Sequence, residues 1–237
     1  INMNDNYEKS NLFQMLLFTK NYSVLCRIDR NSSLYGLPSF LKYATENIHI
    51  TENWDILSKL AEIPNNTKDL AYLVDFAFQT IDPTTNIYEY TNIKHQKIVK
   101  KEYKKSQVQA LEFITKIIEN SLIDVVSVNH EDLISDVITI MKSFCYNNFA
   151  LKASINFFIA AIQSDEMREE VISVAFPFFI KTIEKNDPKE KILTSFIKYC
   201  IDKINKIYDD LTESIPEYIM KQCYSWSDFC TPKVQKD

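Results

Sequence analysis

The stretch DPKEKILTSFIKYCIDKINKIYDDL, residues 187–211, decides the fold class. Asp187 can offer a side-chain oxygen to the free N–H groups of a first helical turn, and Pro188 suits the first helical position because it has no N–H to lose there. Ile192, Leu193, Phe196, Ile197, Cys200, Ile201, Ile204, Ile207, Tyr208 and Leu211 then recur every three or four residues, the spacing that lines one face of an α-helix. Ser214-Ile215-Pro216 closes this helix and opens a last one.

The same period runs back through the second half of the chain. Val108, Leu111, Ile114, Ile117 and Ile118 form one stripe, and Leu133, Val137, Ile140, Met141 and Phe144 form the next. Asn148 is placed to cap a helix carrying Leu151, Ile155, Phe158, Ile159 and Ile162, and Ser164 one carrying Met167, Val171, Val174, Phe178 and Ile183. In the first half, an apolar run predicts a helix over Asp5 to Lys20, and Pro38 opens a short second one. Thr51 can cap a third with Trp54, Ile56, Leu57 and Leu60. Thr67 can cap a fourth with Leu70, Leu73, Val74, Phe76, Ala77 and Ile81, which ends at Asp82-Pro83.

Composition bounds the rest. The 237 residues are 46% hydrophobic, enough for a sizeable core. A single glycine, Gly36, argues against tight hairpins, sheet-rich folds and phosphate-cradling loops, all of which lean on glycine for positive φ. A net charge of −5 argues against nucleic-acid or anionic-membrane binding by the molecule as a whole. Cys26, Cys145, Cys200, Cys223 and Cys230 are odd in number and show no C-x-x-C, which fits a reducing, intracellular setting, cytoplasmic or nuclear. Sequons at Asn21, Asn31 and Asn65 are then expected to stay unused. The longest apolar stretch, Val171 to Ile180, is too short to span a bilayer and holds Pro177. The chain opens on Ile1, as a fragment of a longer protein would.

Residues 83–105 differ from their surroundings. After Thr84, Thr85 and Asn86 comes the run from Lys94 to Lys105, with six lysines against Glu102, a net +5 that leaves the remainder at −10. This segment is expected to be a long polar and basic connection between an N-terminal helical lobe, 1–82, and a C-terminal helical-repeat lobe, 106–237. Lys94, Lys97, Lys100, Lys101, Tyr103, Lys104 and Lys105 are the candidate partner-binding residues, because lysines interleaved with Ile98, Val99 and Tyr103 can contact phosphates, anionic lipid or an acidic peptide. Tyr88, Tyr90 and Tyr103 are candidate aromatic anchors. A solvated, flexible corner is the plainer account of the same residues.

Short corners between helices leave room only for antiparallel neighbours, so the fold expected is all-α: antiparallel helix pairs stacked as an α-solenoid, with a compact helical bundle as the alternative. The pairs from Ser106 to Cys223, with Asp187-Pro188 and the corner Glu213-Ser214-Ile215-Pro216, resemble HEAT and armadillo repeats. Ile204 to Leu211 followed by Ile215-Pro216-Glu217-Tyr218-Ile219 looks like the helix-corner-helix units of karyopherin-β transport receptors. The resemblance implies a scaffold that binds proteins, with no cofactor and no small-molecule substrate. A nuclear transport receptor fragment and a regulatory domain that binds a small GTPase are the specific alternatives.

No arrangement in the sequence points to catalysis or metal binding. His49, His95 and His130 are isolated, and Cys223 and Cys230 lack further partners for a zinc site. Asp209, Asp210, Glu213 and Glu217 read as solvated charge at helix ends. A helical enzyme whose site is assembled from distant residues is the competing class, and it requires a pocket with convergent Asp, Glu or His.

Overall fold

The computed structural model describes residues 46, 51–61, 70, 73–85, 87–91, 93–120 and 129–207. The expected helices at Asp5–Lys20, from Pro38 and after Ser214, the Thr67 cap, the three sequons, His49, Cys26, Cys223 and Cys230 all lie outside the described residues. What is described is mostly helical, with one two-stranded antiparallel sheet. In chain order it comprises α1 (Thr51–Ala61), α2 (Val74–Ile81), β1 (Ile87–Thr91), β2 (Lys97–Lys101), α3 (Lys105–Glu119), α4 (His130–Ser143) and α5 (Asn148–Gln163). There follow α6 (Arg168–Glu170), a π-helical turn (Val171–Ala175), α7 (Phe176–Lys185), a 3-10 turn (Pro188–Glu190) and α8 (Lys191–Ile207).

The chain forms two compact units, one from residues 1–82 and 104–127, the other from 83–103 and 128–237. This division differs from the expected lobes at 1–82 and 106–237. Helix α3, assigned by sequence to the second lobe, belongs to the first unit, and the segment expected as a loose connection over 83–105 holds a β-hairpin.

In the first unit, α3 lies against both α1 and α2. Trp54 is 1% exposed and its ring stands 5.6 Å from that of Phe113 on α3; Leu57, Leu73, Val74, Ala77, Ile81, Leu111 and Ile114 complete the core. Because two helices cover it, α3 buries Ser106, Gln107 and Thr115 as well as its apolar stripe. Thr115 satisfies its hydroxyl by donating to the Leu111 carbonyl at 2.9 Å. Asn120 ends α3 and donates from Nδ2 to the carbonyls of Lys116 and Ala61, which ties the end of α1 to the end of α3.

In the second unit, the four residues 144–147 return α5 antiparallel to α4. The cap is Asn147, one residue before the one predicted: its Oδ1 accepts from the N–H groups of Phe149 and Ala150. Helix α4 touches α5 and the π turn, α5 touches α8, and α7 touches α8. Two consecutive helix pairs, α4–α5 and α6/α7–α8, are thus joined along both members of each pair. Helix α5 sits between neighbours on several sides and buries Leu151, Ile155, Phe157, Phe158, Ala161 and Ile162. Phe158 meets Phe179 edge-on at 5.2 Å. Every residue of the predicted stripe Leu133, Val137, Ile140, Met141 and Phe144 is buried.

Two departures within this unit have local causes. Ser164 was expected to cap with its side chain, but its carbonyl accepts the N–H groups of Met167 and Arg168 while its hydroxyl donates to the Glu166 carboxylate at 2.5 Å. Pro177 stands in the first turn of α7, where its missing N–H and its ring would break an ordinary helix running on from α6. The π turn just before it, in which the Phe176 N–H reaches the Val171 carbonyl, widens the helix and lets the chain continue. Asp187 caps as predicted, accepting from the Lys189 N–H at 2.9 Å. Asn186, at φ 44°, takes the left-handed position at the end of α7 that glycine usually fills.

Candidate interaction surface

Strand β1 pairs with β2 in the register Ile87↔Lys101, Tyr88↔Lys100, Glu89↔Val99, Tyr90↔Ile98 and Thr91↔Lys97. The residues are Ile, Tyr, Thr and Val alternating with Glu and Lys, which suits a pleated ribbon. Its turn needs a left-handed residue, and His95 supplies it at φ 58° in place of the glycine whose absence argued against hairpins. Alternation along the strands puts Lys97, Val99 and Lys101 on one face with Ile87 and Glu89, and Ile98 and Lys100 on the other with Tyr88.

This ribbon leaves most of its side chains in solvent. Ile98 is half-buried, while Ile87 is 45%, Tyr88 41% and Val99 54% exposed, and Ile93 in the turn is fully exposed. The side chain of Tyr90 is outside the described residues. Lys97 Nζ reaches Glu89 at 2.6 Å, the diagonal neighbour on the same face, and Lys100 pairs with Glu102. Exposed pairs of this kind contribute about 0–1 kcal/mol each, so their lysines exchange partners at small cost.

The seven predicted site residues divide into three groups. Lys94, Lys97, Lys100 and Lys101 are exposed on the hairpin. Lys104 and Lys105 are exposed too, but they start α3 and belong to the first unit. Tyr103, expected as an exposed contact, is buried to 7% exposure with its ring 5.0 Å from Phe144. Its hydroxyl has no hydrogen-bond partner among the described residues. Burial raises the phenol's pKa, and the charge of Asp136 raises it further, so the group stays neutral. The Tyr103 carbonyl accepts from Asn147 Nδ2 at 3.5 Å.

One residue that sequence reasoning missed holds the stem of this segment. The Lys104 N–H donates to Gln107 Oε1 at 2.8 Å, and Gln107 Nε2 donates to the Asp82 carbonyl at 2.9 Å. Gln107, 2% exposed, thereby bridges the two residues between which 83–103 is inserted. Its sequence signal is a glutamine three residues after a helix cap, where a side chain can reach back to the cap N–H.

Elsewhere, His130 begins α4 half-exposed, Cys145 is half-buried and Cys200 is buried. Among the described residues no group of three His, Cys, Asp or Glu could hold a metal ion, and no helix is long and apolar enough to cross a membrane. The chain has no significant match to a protein-family model, to a curated protein or to a solved structure.

Proposed function

We propose that this chain is a non-enzymatic protein-interaction scaffold of stacked helix pairs, of the HEAT or armadillo kind, which engages its partner through the lysine-rich hairpin. The observation that carries the reading is the exposure of that hairpin. A two-stranded ribbon is marginal alone in water, and this one holds Ile87, Tyr88, Val99 and Ile93 in solvent among four lysines. A partner that covers those apolar side chains and supplies carboxylates satisfies both features. The repeat reading is supported by the two consecutive pairs α4–α5 and α6/α7–α8, each helix of which meets its counterpart in the next pair.

The test is affinity capture with the full chain, comparing wild type with a Lys97→Glu, Lys100→Glu, Lys101→Glu variant and with a variant carrying three Lys→Glu changes at exposed helical positions, Lys142, Lys152 and Lys181. Proteins retained by the wild type and the helical variant but lost by the hairpin variant are expected. Equal retention by all three would show that the hairpin is not the contact.

A further inference from the structure

Resting on the reading of the hairpin as the contact, we infer that its partner is an extended acidic segment that adds to the outer edge of β2 as a third strand. The sheet has two strands, so among the described residues no third strand pairs with β2, and a strand edge directs alternate N–H and C=O groups outward. Charge selects this edge over the other. Strand β2 carries Lys97, Lys100 and Lys101, whereas β1 carries Glu89 and no lysine.

The same lysines choose the occupant. A second copy of β2 pairing antiparallel about Val99 would set Lys97 opposite Lys101 twice over, and like charges directly opposed destabilise a ladder. Lysines on an edge therefore exclude self-pairing while admitting a strand of opposite charge. An added strand places each residue beside one residue of β2 and on the same face. Facing positions 97 to 101 in turn, it is best served by an acidic residue, two β-branched residues and two acidic residues. The β-branched pair then covers Ile98 and Val99, and the carboxylates take Lys97, Lys100 and Lys101, of which Lys97 and Lys100 now form solvent-exposed pairs with Glu89 and Glu102.

The experiment measures binding to the full chain of a fluorescent peptide with that pattern, a scrambled peptide of identical composition, and the patterned peptide N-methylated at alternate residues so that it cannot donate to a strand edge. The patterned peptide is expected to bind about tenfold more tightly than either control and to lose about tenfold in the K97E/K100E/K101E variant. Equal binding of the scrambled or methylated peptide would overturn strand addition and leave a contact made by charge alone. If no peptide binds while cellular proteins are still lost specifically from the hairpin variant, strand addition is wrong and the hairpin reading stands. If those proteins are retained by the variant, the hairpin reading itself fails. Preference for phosphatidylserine vesicles over the peptide would also overturn the proposal, since a lipid surface offers no strand.

Discussion

Replacing Tyr103 with Phe should leave the second unit as stable as before or make it more stable, which is unusual for a change at a buried residue. The residue is 7% exposed and its ring lies tilted against Phe144 at 5.0 Å, so its apolar body contributes as core residues do. The hydroxyl, by contrast, is buried without a hydrogen-bond partner among the described residues. An unsatisfied hydroxyl costs roughly 1–3 kcal/mol on mutational scales, whereas the phenylalanine ring retains the contact with Phe144. Tyr103→Phe is therefore expected to change stability by between zero and about +1 kcal/mol, after allowance for the denatured state. Tyr103→Ala should lose about 3–5 kcal/mol through the cavity it opens beside Phe144.

A chain with two compact units need not unfold in one step, so a global melt is a poor readout. Native-state hydrogen exchange of the α4 and α5 amides reports the opening of the unit that holds Tyr103. If Tyr103→Phe lowers that opening free energy by more than about 1 kcal/mol, the hydroxyl is hydrogen-bonded in solution and the reasoning is refuted. Asp136 is the charge that acts on this phenol, and a Tyr103→Phe loss abolished in an Asp136→Asn background would identify it as the partner.

Three further outcomes are expected. Gln107→Leu keeps the volume but removes both bonds to the stem, so exchange of the α3 amides should accelerate by an amount equivalent to about 1–3 kcal/mol; unchanged exchange would mean the stem is held by other contacts. Lys105 opens α3, whose first turn has no acidic residue, so its charge opposes the helix dipole; Lys105→Glu should stabilise α3 by about 0.3–1 kcal/mol, read by the same exchange, and a loss would show that the lysine has a structural partner. The bond from the Lys189 N–H, then the Lys185 ammonium, holds the Asp187 carboxyl below the usual carboxylate range. Its contribution to stability is thus present above the unfolded carboxylate pKa, about 3.9, and lost as pH falls through the lower folded value, and an NMR titration midpoint for Asp187 at or above about 3.9 would contradict the cap.

Helices were legible where one face alone is buried. The stripes of α4 and α8 follow the 3.6-residue period, and their predicted residues, as far as they are described, are mostly buried, with Ile192 and Ile207 at the margins of α8 left exposed. Helix α5 was legible as a helix but not as a central one, because its buried face is wide: Ala150, Ala153, Phe157 and Ala161 are buried beside the predicted stripe, leaving a narrow line through Phe149, Lys152, Asn156 and Gln163 exposed. The membership of α3 was not legible. Periodicity gives a helix its face but not its neighbours, and the clue that α3 is covered twice, the burial of Ser106, Gln107 and Thr115, exists only once the chain is folded.

The hairpin escaped for a more instructive reason. A lone glycine, Gly36, argues against tight reversals, but positive φ is a cost that other residues can bear, and His95 and Asn186 both bear it here. With glycine discounted, Ile87 to Thr91 and Lys97 to Lys101 are two five-residue runs of strand-forming residues separated by five turn residues, a spacing that suits a hairpin. Excess lysine hid this by suggesting solvated coil. Lysine is equally what an edge strand needs to avoid pairing with its own kind, so a basic run interleaved with Ile and Val is a strand signal as well as a loop signal. The same correction separates Tyr103 from its neighbours: it follows Lys101 and Glu102 at the point where the ribbon ends, and a tyrosine there serves to bury the exit of the strand against Phe144 rather than to meet a partner.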